Sequence, residues 1–255
     1  MRAALSAALA VALLPSFACG HGAASPPMPT QPEWDIARAW LDRVRATVPS
    51  RPFGALVKVS LREPRTRQSF AARGALAVDP GHALRMILVG PGGATALDVW
   101  ATRDRWRFEV PAANVLRRGG SEDDPLLPIG FFRWWFLGPV DGRLLSSAAA
   151  DAGQRFILRD GASTVDVTLA LREASVADGA ATVSGLTAAR LSGGATDRIE
   201  LHATSLAMAK GDHAIYDEDS SGVHVEVTVE DAAGAPDPDA FANPDALVAP
   251  EKTKG

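Results

Sequence analysis

The stretch Val223–Glu230, VHVEVTVE, alternates without a break: Val223, Val225, Val227 and Val229 fall on one side of an extended chain, His224, Glu226, Thr228 and Glu230 on the other. Successive side chains of a strand point to opposite faces, and β-branched residues suit a pleated surface. The stretch is therefore a β-strand with one face in a core and one in water. The same period recurs on either side of it. Ile199, Leu201 and Ala203 alternate with Glu200, His202 and Thr204, and Val165, Val167, Leu169 and Leu171 with Asp166, Thr168 and Ala170. Nearer the N-terminus, Val57, Val59 and Leu61 alternate with Lys58, Ser60 and Arg62, and Trp106, Phe108 and Val110 with Arg105, Arg107 and Glu109. Further runs cover 68–78, 82–89, 94–101, 155–158 and 181–191, which makes about ten strands in all. Asp79-Pro80-Gly81, Gly90-Pro91-Gly92-Gly93, Asp160-Gly161 and Asp178-Gly179 supply tight turns. Short turns join antiparallel neighbours, so the chain reads as two meanders. An antiparallel sheet of that size must curl or close.

Two segments depart from this period. From Pro32 to Val48, Trp34, Ala37, Leu41, Val44 and Val48 recur at helical spacing, with prolines at 49 and 52 to end the helix. Residues 124–139, DPLLPIGFFRWWFLGP, carry Leu126, Leu127, Ile129, Phe131, Phe132, Trp134, Trp135, Phe136 and Leu137 around a single charge within the apolar run, Arg133. Asp124 is a candidate cap and Pro128 suits a first helical turn. A short helix apolar nearly all round must be covered on more than one side, so it either plugs a cavity or touches lipid.

The N-terminus carries a different signal. Arg2 precedes an apolar run, Ala3 to Leu14, followed by Pro15-Ser16-Phe17-Ala18 and then Cys19-Gly20. This describes a secretory signal, residues 1–18, and the run is too short for a bilayer, which needs ~20 apolar residues. Cys19 is the chain's one cysteine, so it has no partner for an internal disulfide. With Ala18 before it and Gly20 after it, Cys19 resembles a bacterial lipobox, although Ser16 stands where Leu is usual. The resemblance implies cleavage before Cys19, acylation of that residue and attachment to a membrane. Residues 19–32 (CGHGAASPPMPTQP) then form a tether, with a reach of up to about 40 Å at ~3.1 Å per residue. The body runs over 33–231, and 232–255 is an Ala/Pro/Asp-rich tail expected to be irregular.

The order of signal, lipobox Cys19, amphipathic helix, meander, apolar helix and second meander resembles the LolA/LolB-like family of periplasmic lipoprotein carriers and receptors. The segments that carry the likeness are Gly74–Val78, Leu84–Gly92, Ala96–Val99 and the closing Phe241 and Pro244. It implies a mainly β, α+β fold: an incomplete antiparallel β-barrel lidded by short helices, with an apolar interior for acyl chains. Leu76, Val78, Leu84, Met86, Leu88, Leu97, Val99, Trp106 and Phe108 are candidates to line that interior, and Leu127, Phe131, Trp134 and Trp135 to lid it. Gly20 in place of an aspartate after Cys19 favours, by the same resemblance, the outer membrane, facing the periplasm. The family's protruding apolar membrane loop has no counterpart that matches residue by residue.

Chemistry is thinly represented. Net charge is −4 with Arg and Lys dispersed, which argues against a nucleic-acid partner. His202, His213 and His224, with Glu200 and Glu226, invite a metal, yet no ligand spacing supports one and the strand alternation sends His202 and His224 to the polar face. Asp217-Glu218-Asp219 reads as a solvated hairpin tip, because it lacks the glycine and terminal glutamate of a calcium loop. Gly90–Thr95 has no lysine and no following helix, so it is a turn and not a phosphate cradle, and no nucleophile elbow occurs. The expectation is a monomeric, non-catalytic lipoprotein without a metal or other cofactor. Its covalent lipid sits on Cys19, it holds a lipid or lipoprotein client by an acyl chain, and its role lies in transfer to the outer membrane. The alternative is a structural or interaction lipoprotein of the envelope whose core is filled.

Overall fold

The structure, a computed structural model, describes residues 30–62, 69–124, 126–150, 153–161, 163–172, 182–191, 198–204, 206–218 and 221–247. Cys19, the signal and all of the tether but its last residues lie outside this set.

The alternating stretches become one antiparallel sheet. In chain order the elements are α1 (Gln31–Arg45), β1 (Phe53–Arg62), β2 (Ser69–Asp79), β3 (Ala83–Val89), β4 (Thr95–Thr102), β5 (Trp106–Val110) and β6 (Val115–Gly119). There follow α2 (Ile129–Leu137), β7 (Arg143–Ala150), β8 (Gly153–Asp160), β9 (Ser163–Arg172), β10 (Thr182–Leu191), β11 (Arg198–Ala203), β12 (His213–Glu218), β13 (Val223–Gly234) and α3 (Pro244–Leu247). Strand order across the sheet is β6-β5-β4-β3-β2-β1-β13-β12-β11-β10-β9-β8-β7. Two meanders are thus joined through β1 and β13, where Val57 pairs with Val229 and Val59 with Val227. The free edges are β6 and β7, the strands that flank α2 in sequence, so the sheet is curled but not closed.

β6, β7 and β12 exceed the strands legible in the sequence. β6 (VLRRG) has no buried residue, and β7 (RLLSSAAA) buries only Leu144, so neither shows a clean apolar alternation. In β12 the inward side chains are Ala214, Tyr216 and Glu218, a set that hydropathy does not mark.

One face of the sheet is continuous apolar core. Val229, Val57, Gly74, Leu88 and Leu97 are successive partners across β13, β1, β2, β3 and β4. Gly74 interrupts this row for a steric reason: a Cβ there would overlap the carbonyl of Ile87 on β3. Such close backbone approach marks a strand bent to follow a barrel wall.

α1 begins with a capping box, in which the Thr30 N–H and Oγ1–H both donate to Glu33 Oε2, at 2.7 and 2.8 Å. It buries Ala37, Leu41 and Val44 and lies against β7.

The C-terminal segment is more organised than its composition indicates. β13 runs on to Gly234, and a 3-10 turn at Pro238–Phe241 and α3 follow. This strap crosses the convex face over β2 and β3 and reaches β6. The Trp100 indole N–H donates to the Phe241 carbonyl at 2.9 Å. Arg118 grips Asp245 with two bonds of 2.7 Å. Beneath it Asp98, buried, accepts from Arg85 at 2.7 Å and from Arg107 at 3.2 Å. β4 is therefore covered on both faces, which explains an outward Trp and Asp in the middle of a strand.

Candidate functional site

The concave face and α2 together form the site. Across β2–β5 the register places Leu76, Met86, Val99 and Phe108 in one row and Val78, Leu84, Ala101 and Trp106 in the next. Leu88 and Leu97 pair in a third. All nine candidate lining residues thus share one face, and each is no more than 5% exposed. The second meander faces them with Phe156, Leu158, Val165, Val167, Leu169 and Tyr216, all buried. None of these was among the lining candidates read from the sequence. Strand alternation gave the side of Val165, Val167 and Leu169, but only the tertiary curl sets that side opposite β2–β5.

α2 lies against β2, β3 and β4 inside the curl. Phe131 is fully buried, Trp134 and Trp135 are 5% and 2% exposed, and Leu127, just before the helix, is half-buried. Phe131 stacks on Tyr216 of β12 with ring centroids 4.9 Å apart, and its ring is 5.4 Å from that of Phe132. α2 therefore bridges the two meanders as a plug. Each buried aromatic contributes roughly 1.5–3 kcal/mol from removal of apolar area from water. Residues at or near zero exposure adjoin no void that a water molecule could enter, so α2 occupies the space beside β2–β4.

This plug is held by polar contacts. Midway along it Arg133 reaches back to Asp123 at 2.8 Å, and ahead of it the Asp124 carboxylate accepts from the Leu126 N–H at 2.9 Å, before the helix rather than at its cap. At its end the Leu137 carbonyl accepts from the Gly81 N–H at 2.8 Å. Arg103 bridges the Gly81 carbonyl and Asp141, at 2.8 and 2.5 Å. Arg45 of α1 donates to the carbonyls of Val140 and Gly142, at 3.1 and 2.5 Å. Beside these groups is a surface cleft of about 220 Å3 lined by Arg45, Val48, Pro80, Leu137, Val140 and Asp141.

One carboxylate lies on the inward face. Glu218, expected in a solvated tip, is 8% exposed at the end of β12 and accepts from the Ser221 hydroxyl at 2.7 Å. In the register Glu200 stands opposite Asp217 and His202 opposite Ile215 on β12, while on β13 Thr228 stands opposite His213 and His224 opposite Asp217. His224 bonds Asp217 through Nδ1 at 2.6 Å and Glu226 through Nε2 at 3.2 Å. Among the described residues no three His, Cys, Asp or Glu side chains are grouped to hold a metal. No helix among them is long and apolar enough to cross a membrane.

The same architecture occurs in solved structures. A LolA superfamily protein from Nitrosomonas europaea matches with a TM-score of 0.50 at 12% identity, over 83% of this chain and 99% of that one. The fold is LolA-like. A DUF1329 family protein from Desulfovibrio piger shares this LolA-like fold, with a TM-score of 0.51 at 13% identity, over 84% of this chain and 98% of that one. No known family's sequence profile matches the chain, and no curated relative does. At such identity the LolA-like likeness extends to the curled sheet and its helices, and residue roles are not carried by it.

Proposed function

We propose that the protein is an envelope lipoprotein, anchored through acylated Cys19 to the outer membrane and facing the periplasm, that carries the acyl chain of a lipid or lipoprotein client. The supporting observation is the pairing of a continuous apolar concave face with an apolar helix that fills it. α2 is tied by polar contacts at Arg133 and just past its C-terminus, and in the chain it lies between the two edge strands, β6 and β7. An acyl chain that displaces α2 exchanges one apolar contact for another. Burying a few hundred Å2 of acyl surface supplies several kcal/mol at ~25 cal/mol per Å2, offset by the contacts α2 gives up. The net is small, as reversible carriage without chemistry requires. Leu76, Met86, Leu88 and Val99 would contact the chain, and Leu127, Phe131, Trp134 and Trp135 would move aside as its lid.

A second reading has its own observation. The near-zero exposure of the nine lining residues fits a structural or interaction lipoprotein whose core is complete.

Native mass spectrometry separates the two. The Cys19→Ser protein, purified from a bacterial periplasm, is mixed with phosphatidylglycerol or a diacylated peptide. Carriage requires a bound mass of several hundred daltons that organic extraction removes. A protein that stays apo under both conditions identifies the scaffold.

A further inference from the structure

α1 carries a second stripe beside the one it buries. Ile36, Trp40 and Arg43 are spaced four and three residues apart, so they line one flank of the helix. Ile36 is 60% exposed, the highest exposure of any large hydrophobic side chain among the described residues. Trp40 is half-buried, and the Arg43 guanidinium stacks over its ring at 5.2 Å from the centroid. Ala39 is exposed on the same flank. Of the helix's acids, Asp35 accepts from Gln31 and Asp42 faces Arg45, while Glu33, one turn before Ile36 on this flank, is drawn back onto Thr30. An aliphatic tip, an amphipathic indole and a cation with no acid between them match the gradient from acyl chain through headgroup to phosphate.

We infer that this flank of α1 rests on the lipid surface that holds the acyl chains of Cys19, with Ile36 at the headgroup–acyl boundary and Arg43 among the phosphates. The inference rests on the reading of Cys19 as a lipid anchor. Residues 20–30 allow a reach of roughly 35 Å at ~3.1 Å per residue, and α1 is the first element that reach delivers to the surface. Three side chains are too few to hold a free protein on a membrane. On an anchored one the contact is intramolecular, and an effective concentration in the ~mM range makes a weak contact sufficient. The same small area falls short of the ~1,200 Å2 that a stable interface between two protein copies buries.

The test uses the full-length lipid-modified protein in vesicles of phosphatidylethanolamine and phosphatidylglycerol. Acylation blocks Cys19, so Ile36→Cys provides a single thiol for an environment-sensitive fluorophore. Arg73→Cys, at a side chain 71% exposed on the convex face, provides the reference site. Flotation with the vesicles is scored first. The expected result is a blue-shifted label at position 36 that nitroxide-bearing lipids quench, and a water-like, unquenched label at 73. A floating protein with a water-like label at 36 overturns the docking while leaving the anchor intact. A label shielded at 36 but untouched by lipid nitroxides also overturns it and assigns the stripe to protein contact. Failure to float, with two thiols reacting, removes the anchor and this docking together.

Discussion

His224 and Asp245 are tied into the sheet by charge, and the two ties respond to pH in opposite senses. Partial burial pulls the His224 pKa down, but hydrogen bonds to Asp217 and Glu226 outweigh it and hold the pKa above its ordinary value. A raised folded-state pKa means that protonated His224 favours the fold. Its contribution is complete below the unfolded value of ~6.5 and is lost as pH rises through the folded pKa. An NMR titration of His224 is expected to give a midpoint above ~6.5, and one at or below it would contradict the pairing. For Asp245, the hydrogen bonds from Arg118 lower the carboxyl pKa against a smaller opposing effect of burial. Its contribution is present above the unfolded value of ~3.9 and is lost as pH falls through the lowered folded pKa. The gap in thermal midpoint between the natural chain and Asp245→Asn is therefore expected to narrow as pH falls from about 4 through the lowered folded pKa, below which both side chains are uncharged.

At the scale of elements, α2 and the strap are the two pieces that complete the sheet, one on each face. Phe131 is fully buried and bridges α2 to Tyr216. Phe131→Ala removes that bridge and leaves a cavity between the meanders, so a loss of about 3–5 kcal/mol is expected in chemical denaturation. The strap contributes differently. Ending the chain after Gly234 removes the cover of Trp100 and the acceptor of Arg118, while every strand pair remains. Far-UV circular dichroism is expected to keep its β signal while the thermal midpoint falls and tryptophan emission shifts to the red. A truncated protein with unchanged emission would show that Trp100 does not depend on the strap. Gly142 fixes the connector between α2 and β7. Its φ is +111°, and a Cβ would come within 2.6 Å of the Arg159 carbonyl oxygen. Gly142→Ala is expected to cost more than about 1 kcal/mol in the same denaturation measurement.

For the whole molecule, the determining contact is the pairing of β1 with β13, which joins the first strand to the last. Such a pairing carries a large loop-closure entropy, so hairpins within each meander form before the seam. Refolding in stopped-flow mixing is expected in the millisecond-to-second range or slower, as in other proteins dominated by non-local β contacts. The same arrangement leaves β6 and β7 unpaired and puts α2 between the halves they end. That is the property on which the proposed carriage of an acyl chain rests.

The sequence by itself determined the sides of most strands, the amphipathic stripe of α1 and the need of residues 126–137 for cover on several sides. These follow from period and composition, which are local. It also placed all nine lining candidates on one face, because alternation fixes a side chain's direction once the strand is recognised. It passed over β6, β7 and β12, whose burial does not follow hydropathy, and it took Glu218 for a surface residue. Only the tertiary structure decided that α2 fills the concavity, that the second meander supplies the opposing wall and that the polar-looking tail lies folded over β4. Those outcomes depend on the β1–β13 seam and the curl of the whole sheet. Contacts between residues far apart in the chain leave no periodic trace in its sequence.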